Sequence, residues 1–111
     1  MLTLAPAIRI YLCVQPTDMR RGFDRLAEEA RAIAREDPFS GHLFVFRNRR
    51  ENRLKVLSWD RNGFAIWYKR LERGRFAFPT LEGEEGAREI SATAFQLLIG
   101  GAIRKSCRSI L

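Results

Sequence analysis

A chain of 111 residues that is 46% hydrophobic and 11% aromatic, with eight Gly and four Pro, has the size and apolar content of one folded domain. These values exclude a disordered or low-complexity chain, and the short apolar runs exclude the roughly 20-residue segment that crosses a bilayer. With two cysteines and no basic leader before the apolar N-terminal residues, we expect a cytoplasmic protein without a disulfide framework.

The net charge is concentrated in one part of the chain. Twenty basic and thirteen acidic residues give a formal net charge of +7, which favours an anionic partner. Residues 43–79 contain ten of the basic and three of the acidic residues, so this segment holds the whole excess. It also contains eight of the twelve aromatic residues, so basic and aromatic side chains interleave there.

The N-terminal part predicts a strand followed by a helix. Residues 8–14 are mostly apolar and β-branched between two prolines, which is typical of a buried strand with Tyr11 and Cys13 on one face. Thr17 or Asp18 is a candidate N-cap for an amphipathic helix over about residues 19–35, ended by Pro38. Apolar residues at steps of three and four form its inner face: Met19, Phe23, Leu26, Ala27, Ala30, Ile33 and Ala34.

The basic central segment predicts an antiparallel meander. Alternation indicates strands over residues 43–47, 53–59, 64–70 and, after Gly74, 75–78, with turns over residues 48–52 and 60–63. Gly63 is expected to supply the positive φ of the second turn. The same alternation predicts that Leu54 and Val56 lie on one face of the sheet and Lys55 and Leu57 on the other.

The C-terminal part predicts a loop, a short helix and a tail. The acidic residues 82–89 indicate a loop, and Ser91 caps a helix in which Ile90 packs on Phe95 as a hydrophobic staple. The glycine pair at 100–101 ends this helix. We therefore expect one α+β domain over residues 1–101: a strand, an amphipathic helix, an antiparallel meander of three to four strands and a short C-terminal helix. The basic residues 102–111 are expected to form a mobile tail.

Catalysis is not favoured by the residue inventory. His42 is the single histidine, so neither a nucleophilic triad nor a multi-histidine metal site can be assembled. Asp18, Asp37 and Asp60 lie at predicted helix ends or turns, where aspartate serves the backbone. Cys13 and Cys107 lack the setting of a reactive thiol, and no glycine-rich phosphate loop is present. We expect no catalytic residue, metal or cofactor.

The basic residues of the central segment are the candidate binding site. Arginine and lysine neutralise phosphates, and exposed aromatic rings stack on bases. In a small domain, however, most of these rings are needed for the core, so the sequence alone leaves direct nucleic-acid contact open. The turn over residues 48–52 and the strand end over residues 69–75 are expected at one edge of the sheet. The candidate nucleic-acid-binding residues are Arg47, Arg49, Arg50, Arg53, Lys55, Lys69, Arg70, Arg73 and Arg75.

Three stretches resemble one protein family. They are PTDMRRGFDRLA at residues 16–27, DPFSGHLFVFRNRRENRLKVLSWDRNGFAIWYKRLERGRFAFP at 37–79, and LLIGG at 97–101. Over residues 8 to about 101 the chain is similar to the small second-reading-frame accessory proteins, also called TnpB, of the sixty-six family of bacterial insertion sequences. The resemblance implies a non-catalytic role in transposition, beside a separate transposase and a second accessory protein of the same element. It assigns no catalytic residues.

Two functions fit these observations. The first is an accessory factor for DNA transposition that contacts element DNA through the basic-aromatic sheet. The alternative is a protein-interaction module that recruits or stabilises the transposase without binding DNA. A nuclease that uses the aspartates is disfavoured by the same capping argument. Neither reading involves a membrane, and the sequence does not define the oligomeric state.

Overall fold

A computed structural model of the protein describes residues 7–81 and 83–100. Within these ranges, five strands and two helices form an α+β fold, as the sequence predicts. Helix α1 continues directly into a π-helical segment, Ala30–Ala34. The elements in chain order are β1 Ile10–Cys13, α1 Phe23–Glu29, β2 Leu43–Arg47, β3 Arg53–Asp60, β4 Gly63–Arg70, β5 Ala87–Ile90 and α2 Ala92–Ile99.

The strands form one sheet in the order β4-β3-β2-β1-β5. Strands β2, β3 and β4 are the predicted antiparallel meander, with three members. Strand β1 runs parallel to β2, with Ile10 opposite Leu43, and antiparallel to β5 on its other side. A parallel pair needs a crossover connection, and α1 with its π-helical continuation supplies it.

Two predicted assignments near the C-terminus are wrong. Residues 75–78 are not a strand; the Phe76 N–H donates to the carbonyl of Glu51 at 2.8 Å, and the Phe78 N–H donates to the carbonyl of Phe76 at 3.0 Å. Conversely, the predicted loop over residues 82–89 contains most of β5, which pairs with β1. The acidic, glycine-containing sequence lacks a local strand pattern. The strand forms because it pairs with β1, which lies far away along the chain.

The start of α1 also differs from the prediction. The helix begins at Phe23 with Gly22 as N-cap, and neither Thr17 nor Asp18 caps it. The Asp18 carboxylate instead accepts the backbone N–H of Arg20 at 2.9 Å, and the Thr17 hydroxyl donates to Glu29 at 3.0 Å. Both side chains therefore stabilise the segment that precedes the helix and not the first turn of the helix.

The helical region ends before the proline that was expected to stop it. The π-helical segment finishes at Ala34, and Arg35 adopts a left-handed conformation with φ of 57°. Pro38 is buried three residues further on. On the inner face Leu26 and Ala30 are fully buried, whereas Phe23, which the periodicity assigns to the core, is 49% exposed.

The sheet is packed on both faces, each with its own apolar cluster. The predicted alternation is confirmed: Leu54 and Val56 lie on the α2 face, and Leu57 on the α1 face. The α1 face consists of Tyr11, Cys13, Leu26, Ala30, Phe44, Phe46 and Leu57. The α2 face consists of Ile10, Leu12, Leu43, Val45, Leu54, Val56, Phe76, Phe78, Phe95, Leu98 and Ile99.

The C-terminal helix follows the prediction closely. The Ser91 Oγ accepts the N–H of Ala94 at 3.0 Å, which satisfies one of the free donors at the helix start. Ile90 packs on the cluster that contains the fully buried Phe95, as a hydrophobic staple requires. The helix ends at Ile99, before Gly100.

The tight turn between β3 and β4 is made differently from the prediction. The positive φ belongs to Arg61, at 53°, and not to Gly63. The Asn62 N–H donates to the Asp60 carbonyl at 2.5 Å, so the left-handed residue of the turn lies two positions before the glycine that was expected to supply it. The predicted basic tail over residues 102–111 lies outside the described ranges. Neither helix in those ranges has the length and hydropathy to cross a membrane.

We expect Leu26→Ala to lower the free energy of unfolding by about 2–5 kcal/mol, because it empties a fully buried site between α1 and the sheet. Phe23→Ala is the matched control: with its ring 49% exposed, it should cost about 1 kcal/mol or less. Urea denaturation followed by circular dichroism measures both. Equal losses would contradict the packing of this helix face.

Candidate nucleic-acid interface

The meander brings six arginines to one edge of the sheet, which we call the arginine rim. Strands β3 and β4 are in register with Arg53 opposite Arg70. The chain after β4 stays against the β2–β3 turn, because the Leu71 N–H donates to the Asn52 carbonyl at 2.8 Å. The expected meeting of this turn with the end of β4 is therefore present. The rim consists of Arg49, Arg50, Arg53, Arg70, Arg73 and Arg75.

The β2–β3 turn is held by the side chain of Asn48. Its Oδ1 accepts the N–H groups of Asn52 at 3.1 Å and Arg53 at 3.0 Å. Its Nδ2 donates to the Asn52 Oδ1 at 2.7 Å. Because asparagine rather than either arginine closes the turn, Arg49 and Arg50 are left exposed at its tip.

Two open grooves of about 400 Å³ each meet at this rim. The first lies between residues 17–19 and the β2–β3 turn and is lined in part by Arg49 and Arg50. The second is lined by Arg53, Tyr68, Arg70 and Glu72. Arg53 lines both grooves, so the two form one basic surface around its guanidinium.

One carboxylate faces the first groove, and a cation already accompanies it. Asp18 lines the groove and forms a salt bridge with Arg20 at 2.8 Å. Hydrogen bonds from the Arg20 guanidinium and backbone N–H hold the pKa of Asp18 below its usual range. Asp18 is therefore ionised at neutral pH, and Arg20 offsets its charge beside the groove.

Most rim arginines have guanidinium groups available for a ligand. Among the described residues, no hydrogen bond or ion pair involves the side chains of Arg49, Arg50, Arg73 or Arg75, and all four are exposed. Arg53 donates to the Tyr68 hydroxyl at 3.2 Å. Arg70 pairs with Glu72 at 3.1 Å, but both side chains are more than half exposed, so the pair is weak.

The other three candidate binding residues bond within the protein. The Lys55 side chain is only 8% exposed, and its Nζ donates to the Arg21 carbonyl at 2.8 Å. The Lys69 Nζ donates to the Ile99 carbonyl at 3.0 Å. These lysines therefore join the approach to α1 and the end of α2, respectively, to the sheet.

Arg47 is held from several sides. Its guanidinium donates to the Val14 carbonyl at 2.5 Å and pairs with Glu51 at 3.4 Å. It also lies over the Phe78 ring, 5.6 Å from the centroid. Sequence patterning missed this role, since alternation gives the face of a side chain but not its partner.

The aromatic residues of the basic segment mostly belong to the core. Phe44, Phe46 and Phe76 are fully buried, so they offer no stacking surface. At the rim the exposed aromatic residue is Tyr68, at 46%, whose ring also lies 4.8 Å from the Lys55 Nζ. The arrangement at this edge consequently favours charge contacts over base stacking.

Two of the residues considered for catalysis, His42 and Asp37, bond to the backbone, and Cys107 lies outside the described residues. His42 Nδ1 accepts the Arg9 backbone N–H at 3.0 Å, and the Asp37 carboxylate accepts the N–H of Phe39 at 2.9 Å. Within residues 7–81 and 83–100, no three His, Cys, Asp or Glu side chains lie close enough together to hold a metal. Cys13 is fully buried in β1, and burial together with the charge of Glu29 raises the pKa of its thiol to about 12.

The sequence of the chain matches a known protein family. The family model for IS66 Orf2-like proteins matches residues 8–109. The chain belongs to the IS66 Orf2-like family. This family consists of accessory proteins of insertion sequences, so membership implies a role in transposition for this IS66 Orf2-like protein.

Two curated relatives come from Sinorhizobium fredii. The IS66 Orf2-like protein is 40% identical over 101 residues to the uncharacterized protein y4hO, covering 91% of this chain and 86% of the relative. It is 38% identical over 94 residues to the uncharacterized protein y4jC, covering 85% of this chain and 79% of that protein. No solved structure gives a significant match.

The buried thiol of this IS66 Orf2-like protein gives a test of the β1 environment. Because the thiolate is the reactive form, a thiol pKa of about 12 should slow alkylation of Cys13 in folded protein at pH 8. In a Cys107→Ser variant, we expect iodoacetamide to react at least about a hundredfold more slowly than with protein unfolded in urea. Mass spectrometry measures both rates; rapid modification of folded protein would show that β1 is accessible.

Proposed function

We propose that this protein is a non-catalytic accessory factor for transposition that contacts element DNA through the arginine rim. The observation that carries the proposal is the convergence of six arginines on one edge, with the guanidinium groups of Arg49, Arg50, Arg73 and Arg75 unpaired among the described residues. The excess charge of the chain, concentrated in residues 43–79, gives this edge a positive potential.

Guanidinium groups suit phosphate because their donors form a planar fork that can bond two oxygens at once. A cationic rim that neutralises phosphates also releases counterions, so binding should weaken steeply as salt rises. Phosphate contacts position a protein on DNA without reading its sequence. The proposed contact is therefore mainly independent of base sequence.

The arrangement favours duplex DNA as the ligand. Single-strand binders need several exposed aromatic rings for base stacking, whereas the aromatic residues of this segment lie mostly within the two cores. A row of arginines on turns and strand ends instead matches a double-stranded backbone, on which phosphates are closely spaced.

We assign direct phosphate contact to the six rim arginines and a supporting role to Arg47, Lys55 and Lys69. These three remain part of the positive field, but their donors already bond backbone carbonyls. Moving Lys55 to a phosphate would cost the partly buried Arg21 carbonyl its hydrogen bond. Arg49 and Arg50 can bind a phosphate without breaking a hydrogen bond within the described residues.

Family membership supports association with the transposase and, by extension, with the second accessory protein of the same element. We propose that the DNA-bound protein recruits or stabilises the transposase at the element. The exposed side of α2, which includes Leu97, is available for these contacts while the rim lies on DNA. This reading combines the two sequence-based hypotheses and assigns each to a different surface.

The test compares two double variants that remove equal charge. Arg49→Ala with Arg50→Ala removes two proposed phosphate contacts, whereas Arg25→Ala with Arg31→Ala removes two exposed charges from the helical region. The first should weaken binding to element-end and random duplexes alike and lower the salt slope by about two. The second should leave the slope unchanged. Fluorescence anisotropy over a salt series measures both.

Both double variants should remain folded, since exposed substitutions usually change the free energy of unfolding by about 0.5 kcal/mol or less. Circular dichroism of each variant is the control. If the Arg49 and Arg50 variant keeps its DNA affinity and salt slope but no longer captures the purified transposase, the rim is a protein-docking surface. That result would refute direct DNA contact and favour the alternative function.

A further inference from the structure

Strand β4 ends the sheet with a long, regular edge. It has eight residues, contains no proline and pairs with β3 without a bulge from Arg53 opposite Arg70 to Asp60 opposite Gly63. Among the described residues, no strand pairs with its outer side. Native proteins usually shorten, bend or cover such edges. The opposite edge strand, β5, follows that rule with only four residues.

The hydrogen-bonding pattern defines which groups of β4 face outward. The Leu71 N–H donates to the Asn52 carbonyl, and bonded positions alternate along an antiparallel ladder. The backbone groups of residues 63, 65, 67 and 69 therefore face β3. Those of Phe64, Ile66, Tyr68 and Arg70 face away from it, and their side chains share the α1 face of the sheet.

The two ends of this edge are chemically complementary. At the β3–β4 turn, the rings of Phe39, Trp59 and Phe64 form a cluster with centroids 4.9–5.2 Å apart, and Phe39 is 49% exposed. At the other end, the Arg70 side chain is 57% exposed. A guanidinium over an aromatic ring is a favourable contact, particularly where it is partly desolvated.

We propose that β4 is a dimer interface, on which a second copy of this chain adds its own β4 in antiparallel orientation. The two-fold register that pairs all four outward-facing residues sets Arg70 opposite the partner's Phe64 and Ile66 opposite the partner's Tyr68. About eight backbone hydrogen bonds then join the sheets. Each Arg70 meets the other copy's aromatic cluster. A parallel arrangement would instead set Arg70 beside the same residue of the other copy, which like-charge repulsion opposes.

This dimer does not depend on DNA contact. It engages Arg70 of each copy, so in the dimer the phosphate contacts of each rim fall to its other five arginines, and it determines how the two rims are arranged. The two Arg70 positions are six residues apart along the joined strands, or roughly 20 Å. The two-fold axis places the two rims at opposite strand ends of the joined sheet. A single duplex would therefore have to run along the joined strands to meet both.

The register is tested by disulfide cross-linking in a Cys107→Ser background. In the proposed pairing, Ala65 lies opposite the partner's Lys69 in a non-hydrogen-bonded pair, with Cα atoms roughly 4.5 Å apart, which suits a disulfide. Two copies of residue 65 lie roughly 13 Å apart, too far to bond. Mixing the Ala65→Cys and Lys69→Cys variants should give a cross-linked dimer after oxidation, whereas each variant alone should not.

Light scattering coupled to size-exclusion chromatography of the unaltered full chain tests the dimer itself. We expect a concentration-dependent dimer, with Phe39→Ala raising its dissociation constant about five- to thirtyfold because two cation–π contacts are lost. Leu97→Ala, 62% exposed on α2 at the other face, should leave the constant unchanged. A monomer at every concentration, or equal cross-linking of either cysteine variant alone, would overturn the proposal.

Discussion

Strands β1 and β2 are buried on both faces, and this constraint sorts the charges of the basic segment. A charged group cannot remain inside such a sheet without a partner, because desolvation costs several kcal/mol. Arg49 and Arg50 leave the sheet at a turn, and Arg73 and Arg75 follow its last meander strand. Charges on the inner strands find carbonyl groups instead, as the Lys55 Nζ does at Arg21. The arginines of the rim therefore lie at turns and strand ends because the packed sheet cannot accommodate unpartnered charges.

The same sorting explains which parts of the site the sequence could predict. Turn chemistry and period-two alternation depend on neighbouring residues, and they correctly indicate the meander, the faces of β3 and the edge at which the arginines meet. The carbonyl groups that accept hydrogen bonds from Arg47, Lys55 and Lys69 lie 30 or more residues away in sequence. No local pattern encodes such contacts, so the sequence does not distinguish the exposed arginines from the basic residues that bond within the protein.

The errors in the predicted fold have a related origin. Strand β5 pairs with β1 across most of the chain, and its four residues, Ala-Arg-Glu-Ile, carry no local strand signal. The segment containing Phe76 and Phe78 alternates like a strand, but it covers the α2-face core rather than extending the sheet. At α1, Asp18 satisfies a nearer N–H than the helix start offers. For β5 and the Phe76 segment a tertiary contact outweighs a local preference, whereas at Asp18 a closer local hydrogen bond replaces the expected helix cap.

The pairing of β1 with β5 has a consequence for how the chain folds. Ile10 lies opposite Ile90, so this half of the sheet closes only when residues 80 positions apart meet. Pairing between distant segments is slow because loop-closure entropy must be overcome before the contacts form. During synthesis from the N-terminus, β1 can gain β2 long before β5 emerges from the ribosome. One side of the most buried strand therefore stays open until β5 has been synthesised, and during that interval the unpaired edge of β1 is available for aggregation.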